Sequence, residues 1–184
     1  AAKTQLEHLA VEDGLTGLFN RRYLNETLDK EWARATPDKA QVALVLIDID
    51  HFKKLNDAYG HPTGDERLRQ VADVLKMSIH RPGDVAARYG GEEFALLLPG
   101  TMQAGAGLLA DRVRRAVETM NLPHSESAYQ RVTVSCGVAA MWPQAANQPA
   151  ELIERADHAL YRAKQEARNP VKEAPPEPVP PARS

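Results

Sequence analysis

Four carboxylates stand where their type and spacing suit a hard metal ion. Asp48 and Asp50 close an apolar run in the order VLIDID, and Glu92 and Glu93 follow the pair Gly90-Gly91. A strand needs no acid at its end, and in open sheets with crossover helices ligands bind at the carboxyl ends of strands. Side chains two residues apart on a continuing strand share a face, so Asp48 and Asp50 would feed one oxygen-rich pocket. The two glycines let the backbone approach a ligand closely or adopt positive φ. Acids rather than histidine and cysteine ligands select Mg²⁺ or Mn²⁺ over zinc, and such sites are usually completed by substrate phosphates. On spacing alone a plainer account stays open: two aspartates ending a strand and two glutamates on a solvated turn.

Other polar groups cluster with similar economy. Asp157, Tyr161, Lys164 and Arg168 are spaced four, three and four apart, one stripe of a helix with a cationic end. Such an end complements the helix dipole whether or not it meets an anion. Arg81-Pro-Gly-Asp84 reads as a turn. Asn56-Asp57 suits a turn or cap, and Asp65 suits the first turn of a helix.

The elements that must position these groups follow from periodicity. Residues 42–47 (VALVLI) form a short β-branched run, a strand buried on both faces. Residues 85–89 and 94–98 are strand-like runs joined by Gly-Gly-Glu-Glu, a β-hairpin. Val132, Val134, Cys136 and Val138 alternate with Thr133, Ser135 and Gly137, predicting a half-buried strand. Helices are expected over 20–35 (Leu24, Leu28, Trp32; broken by Pro37-Asp38), 63–79 (Leu68, Val71, Ala72, Leu75, Ile79) and around Leu109, Val113 and Val117. A last helix opens at Pro149 and presents Leu152, Ile153, Ala156, Leu160 and Ala163. Strands and helices intermix, so the fold class is α/β or α+β with a central sheet.

Composition bounds the rest. The 184 residues are 43% hydrophobic and 26% charged, an ordinary balance for one domain with appendages. A net charge of −2 argues against a general nucleic-acid binder. No run approaches a membrane span, and the single Cys136 fits a reducing compartment, so a soluble cytoplasmic domain is expected. Six of the 13 prolines fall in the last 15 residues, which predicts an extended, disordered tail over 170–184. Leu6, Leu9 and Ala10 among charged residues read equally as the end of a signalling helix or linker over 1–12, cut from a longer protein, or as a frayed chain end.

Gly90-Gly-Glu-Glu-Phe94 stands in the chain as GGEEF, and it does not stand alone. Residues 13–22 (DGLTGLFNRR), 48–57 (DIDHFKKLND), 59–65 (YGHPTGD) and 156–164 (ADHALYRAK) flank it in order. Together they resemble the five motifs of the GGDEF family of diguanylate cyclases, and the resemblance covers residues 13–169. It implies a mostly antiparallel five-stranded sheet wrapped by helices, like polymerase palms and adenylyl cyclases. It also implies condensation of two GTP into cyclic di-GMP with release of two pyrophosphates.

The same resemblance implies roles at matching positions. Asp48, the Ile49 carbonyl and Glu92 would bind Mg²⁺ (or Mn²⁺), with Glu92 and Glu93 as the catalytic pair. Phe52 through its backbone, Lys53, Lys164 and Arg168 would meet the triphosphate, although Ala167 replaces the family's usual glycine before Arg168. Asn56 and Asp65 would read the guanine edge. His61 lies between them, and a satisfied structural histidine is the favoured reading beside a substrate contact. Arg81 and Asp84, an RxxD five residues before the glycine pair, would form an inhibitory product site with Arg88 and Arg112. Partners would be GTP, cyclic di-GMP, a second copy of the domain and an upstream sensory or receiver domain, with neither nucleic acid nor a membrane segment. The alternative from another class is a catalytically silent receptor for GTP or cyclic di-GMP.

Overall fold

The computed structural model describes residues 11–34, 40–166 and 171–180. The expected N-terminal helix end, the Pro37-Asp38 break and Arg168 lie outside them. Strand β2 (Val42–Ile49) is buried along its whole length. Its continuous apolar run resolves into two alternating faces. Ala43, Val45, Ile47 and Ile49 join one core, and Val42, Leu44 and Leu46 join the other.

The first core is closed by α3 (His61–Ser78) through Leu68, Val71 and Leu75 and by α4 (Gln103–Thr119) through Val113 and Val117. The second is closed by α1 (Arg21–Ala33) through Leu24 and Leu28 and by α5 (Pro149–Gln165) through Leu152, Ala156 and Leu160. Helix α1 begins where the Asn20 side chain accepts a hydrogen bond from Tyr23 N at 2.9 Å, a side-chain N-cap. Pro149 stands in the first turn of α5, as its missing N–H predicts.

With β1 (Phe19–Asn20), β3 (Val85–Arg88), β4 (Glu93–Pro99), β5 (Val134–Met141) and β6 (Val171–Glu173), the sheet has the order β1-β3-β4-β2-β5-β6. Its central pairings, β3-β4, β4-β2 and β2-β5, are antiparallel, and the two short edge strands pair parallel. The mixed, mostly antiparallel sheet wrapped by helices agrees with expectation, with six strands instead of five.

Two local expectations are corrected. Strand β5 is buried on both faces, not half-buried. The small and polar positions of its alternation are occupied by contacts invisible in one dimension. A Cβ at Gly137 would lie 2.2 Å from Leu160 N and 2.3 Å from Ala156 O, so α5 rests directly on that glycine, while the Ser135 hydroxyl donates to Asp50 at 2.6 Å. The tail is the second correction over residues 171–180. Ala174 N donates to Val138 O at 2.7 Å, Gln103 Nε2 to Ala174 O at 2.7 Å, and Trp142 N to the Glu177 carboxylate at 2.8 Å. Backbone groups and one carboxylate hold this segment against β5 and α4, so it needs few apolar side chains.

Periodicity assigns no element to residues 52–59, which form α2 (Phe52–Tyr59). Leu55 is its single fully buried residue and Phe52 packs beside it, a stripe confined to two turns and too short to stand out as a period. Among the described residues no helix is long and apolar enough to cross a membrane.

Candidate functional site

The sheet register brings the predicted acids together. Asp48 pairs with Glu93 on β4 and with Ser135 on β5, and Ile49 N donates to Glu92 O at 3.2 Å. Asp48 and Glu93 therefore point to one face, the side covered by α1 and α5. Residues 89–93 form a tight turn in which Tyr89 N and Gly90 N both donate to Glu93 O, at 2.7 and 3.0 Å. Lys164, on the last turn of α5, reaches Asp48 Oδ2 at 2.8 Å.

The electrostatics of this corner are those of a partly dry acidic pocket. Burial raises the Asp48 carboxyl above its ordinary range; Lys164 pulls it down, and Glu92 and Asp50 push it up again. Burial also raises Glu93, with the negative charges of Asp48 and Asp157 adding to the effect. A divalent cation would relieve that crowding, and its donors here are hard oxygens, so the residues fit Mg²⁺ or Mn²⁺. Among the described residues no group of three or more His, Cys, Asp or Glu side chains is set to hold a metal ion alone. The remaining positions would fall to ligand oxygens.

Asp50 stands on the same face as Asp48, as the two-residue spacing predicts, because Asp50 N donates to Thr133 O at 3.0 Å and continues the pairing with β5. Its carboxylate is already engaged, accepting from Thr133 Oγ1 at 2.7 Å and from Ser135 Oγ, on the residue paired with Asp48, at 2.6 Å. It therefore also braces β2 against β5. A cleft of about 300 Å³ opens beside it, lined by His51, Tyr129, Thr133 and Lys164 among others.

The other predicted residues distribute over α2 and α3. Phe52 and Lys53 stand in the first turn of α2, and Asn56 in its second. The Asn56 side chain lies against Gly64, where a Cβ would come within 1.8 Å of Asn56 Oδ1. That oxygen is buried with no hydrogen-bond partner among the described residues, an acceptor awaiting a donor. Asp65 is half-buried on α3 one residue beyond that contact, whereas His61 is exposed at the start of the helix. The expectation of a satisfied structural histidine is corrected there: the first residue of α3 faces solvent because the apolar stripe begins deeper in the helix.

Arg81 and Asp84 pair, Arg81 Nη2 to Asp84 Oδ1 at 3.1 Å, and Arg81 also donates to Thr101 Oγ1 at 2.8 Å and to Pro99 O. Arg112 is exposed on α4. Arg88 does not join them. At the far end of β3 its guanidinium donates to Gly90 O and Gly91 O and pairs with Asp13 at 3.2 Å. Arg88 therefore holds the hairpin tip to the turn at Asp13, where Thr16 also donates to the Asp13 carboxylate. Among residues that sequence reasoning missed, Thr133 and Ser135 left a signal: polar side chains at alternate positions of an otherwise buried strand. Gly64 stands in the motif over 59–65, but its contact with Asn56 is set by the packing of α2 on α3 and leaves no signal of its own.

Residues 10–170 match the family described as "Diguanylate cyclase, GGDEF domain". The probable diguanylate cyclase DgcT of Escherichia coli K12 is 42% identical over 90% of this chain and 36% of its own length. The response regulator PleD of Caulobacter vibrioides is 42% identical over 92% of this chain and 38% of its own. The chain thus spans little more than a third of these curated relatives. Among solved structures, the coiled coil and GGDEF domain of DgcB from Caulobacter crescentus, in complex with c-di-GMP, superposes with a TM-score of 0.84 at 35% identity, covering 94% of this chain and 90% of that one.

Proposed function

The chain belongs to the GGDEF family of diguanylate cyclases, and from that premise we propose that it condenses two GTP into cyclic di-GMP. In each of two steps the 3′-oxygen of one GTP moiety forms a bond to the α-phosphorus of the other as the α–β bridging P–O bond breaks, so two pyrophosphates leave. The observation that carries this reading is the meeting at the end of β2 of both charge signs. Desolvated Asp48 and the hairpin acids suit a cation, and Lys164 beside them suits a phosphate.

Asp48, the Ile49 carbonyl and Glu92 are the residues assigned to Mg²⁺ or Mn²⁺. The ion supplies charge neutralisation between the phosphates when bound. Glu92, on the turn before β4, takes the proton of the attacking hydroxyl, and Glu93 shapes the pocket's charge from its half-buried position. The first-turn N–H groups of α2 at Phe52, with Lys53, Lys164 and Arg168, bind the triphosphate. The unpartnered Asn56 Oδ1 and the Asp65 carboxylate accept from the guanine N–H groups, with His61 at the solvent edge. Adenine lacks that pair of donors, and leaving the acceptors unpaired costs roughly 1–3 kcal/mol.

One site holds one GTP, so catalysis needs two domains face to face. Residues 13–169 form the catalytic unit, controlled by an upstream domain, in the cytoplasm where GTP is available. Incubation with GTP and Mg²⁺ should yield cyclic di-GMP by mass spectrometry, and excess EDTA should abolish it. GTP left intact at high protein concentration would overturn the enzyme reading and leave a receptor.

Arg81 and Asp84, with exposed Arg112 of α4, are assigned to product feedback, since a guanidinium grips phosphate or the guanine Hoogsteen edge in bidentate fashion. Arg81→Ala should raise the cyclic di-GMP concentration for half-inhibition at least about tenfold, the loss of one such contact. Unchanged inhibition would reduce the RxxD to a turn.

A further inference from the structure

Helix α2 carries three of the residues assigned to nucleotide yet buries fully a single side chain, Leu55, with Phe52 partly buried against the same core. Burial alone therefore determines its position weakly. Its entrance is also unusual. His51, the residue before its first turn, is left-handed at φ 54° and ψ 37° and makes no side-chain cap. A non-glycine residue holds that conformation only where its surroundings impose it.

The surroundings that impose it come from elsewhere in the chain. His124 is buried, at 1% exposure, and its Nε2 lies 3.1 Å from His51 O. Facing a carbonyl, Nε2 carries the proton and donates. The same carbonyl accepts from Leu55 N at 3.0 Å, so His124 is the second donor on the turn that starts α2. The opposite end of α2 is held by the next residue, Ser125 N donating to Tyr59 Oη at 2.9 Å.

The segment that makes both contacts is itself closed by hydrogen bonds. His124 N donates to Gln130 O at 3.3 Å, Ser127 N to His124 O at 3.2 Å, and Gln130 Nε2 to Ser127 O at 3.0 Å. Val132 N donates to Leu122 O at 2.8 Å, and Arg131 ties the segment to Glu118 on α4 at 2.6 Å. His124 Nδ1, meanwhile, is buried with no partner among the described residues. Such an atom costs stability, so packing alone would favour an apolar side chain here. What His124 offers in return is its bond to His51.

We propose that residues 121–131 are a clasp that positions α2 for nucleotide, with His124 as its positioning residue. The inference rests on the nucleotide reading above. His124→Ala should raise KM for GTP about tenfold with kcat within about threefold, because a displaced α2 misplaces Phe52, Lys53 and Asn56 together. His124→Gln, whose amide can present a donor at the Nε2 position, should restore most of the loss. A merely structural role would lower Tm in both variants without separating KM from kcat.

Hydrogen–deuterium exchange tests the clasp without turnover. Exchange at residues 51–59 should quicken in His124→Ala, recover in His124→Gln and stay unchanged in α4. Wild-type exchange in α2 of His124→Ala, or a KM that does not move, overturns the proposal. A wild-type protein that converts no GTP would instead overturn the function, and the exchange arm would still decide the clasp. Should His124→Ala fail to fold, Tyr59→Phe removes the other anchor from an exposed side chain. Faster exchange confined to α2 then supports the clasp, and unchanged exchange overturns it.

Discussion

Asp48→Asn should reduce cyclic di-GMP synthesis by about 10²–10³-fold while leaving Tm equal or higher. The two halves of this expectation have one cause. Burial, the largest influence on Asp48, raises its carboxyl above the ordinary range even though Lys164 lies 2.8 Å away. An acid raised by folding binds its proton more readily in the folded state. Its ionised form therefore costs stability, and the cost grows as pH rises from the unfolded carboxylate value through the folded one. At neutral pH asparagine removes that cost, and Lys164, whose side chain is 41% exposed, can turn to water. The variant also loses the charge that a divalent cation requires. Turnover assays beside thermal melts at pH 7 check both halves. More than a tenth of wild-type activity would remove Asp48 from the ion's ligands, and a marked fall in Tm would mean that the pair with Lys164 outweighs desolvation.

Gly137→Ala should destabilise the domain by about 3 kcal/mol or more, the upper end for overpacking. For a chain of this size that lowers Tm by about 6–12 °C. The added Cβ would meet Leu160 N at 2.2 Å and Ala156 O at 2.3 Å, both backbone atoms in the middle of α5. No rotamer change relieves such a contact; the helix must lift from β5. Because α5 carries Lys164 to Asp48, activity should fall with stability. Gly83→Ala is the control. Nothing lies within 4 Å of its added Cβ, and its Tm should stay within about 1 °C of wild type. An unshifted melt for Gly137→Ala would mean that α5 does not seat on β5 as described.

Much of the framework was legible because burial leaves a local record. Apolar spacing locates β2, the hairpin strands and four of the five helices among the described residues, and the order of the motifs locates the acids at strand and turn ends. The missing helix, α2, is eight residues long, and its apolar stripe, Leu55 with part-buried Phe52, spans too few turns to stand out as a period. The alternation along β5 is a true pattern that does not imply exposure. Ser135 and Gly137 are buried against the Asp50 carboxylate and the α5 backbone, and half-buried Thr133, just before the strand, meets the same carboxylate. The lack of apolar side chains in the tail predicts disorder, yet residues 171–180 are held chiefly through backbone groups, which every residue except proline carries in full.

The chemistry divides along the same line. The amino-acid sequence by itself determined which groups this protein can use: two pairs of acids, a cationic helix end, an asparagine and aspartate suited to guanine, and the five motifs of its family. Only the tertiary structure decided their partners. The β2–β4 register set Asp48 opposite Glu93, the β2–β5 register gave Asp50 the hydroxyls of Thr133 and Ser135, and Arg88 went to the hairpin and Asp13. His124 reached α2 across 73 residues of chain. Periodicity records which side of an element is dry, because burial acts on each residue where it stands. A hydrogen bond between distant residues depends on register and packing, which the whole fold settles at once.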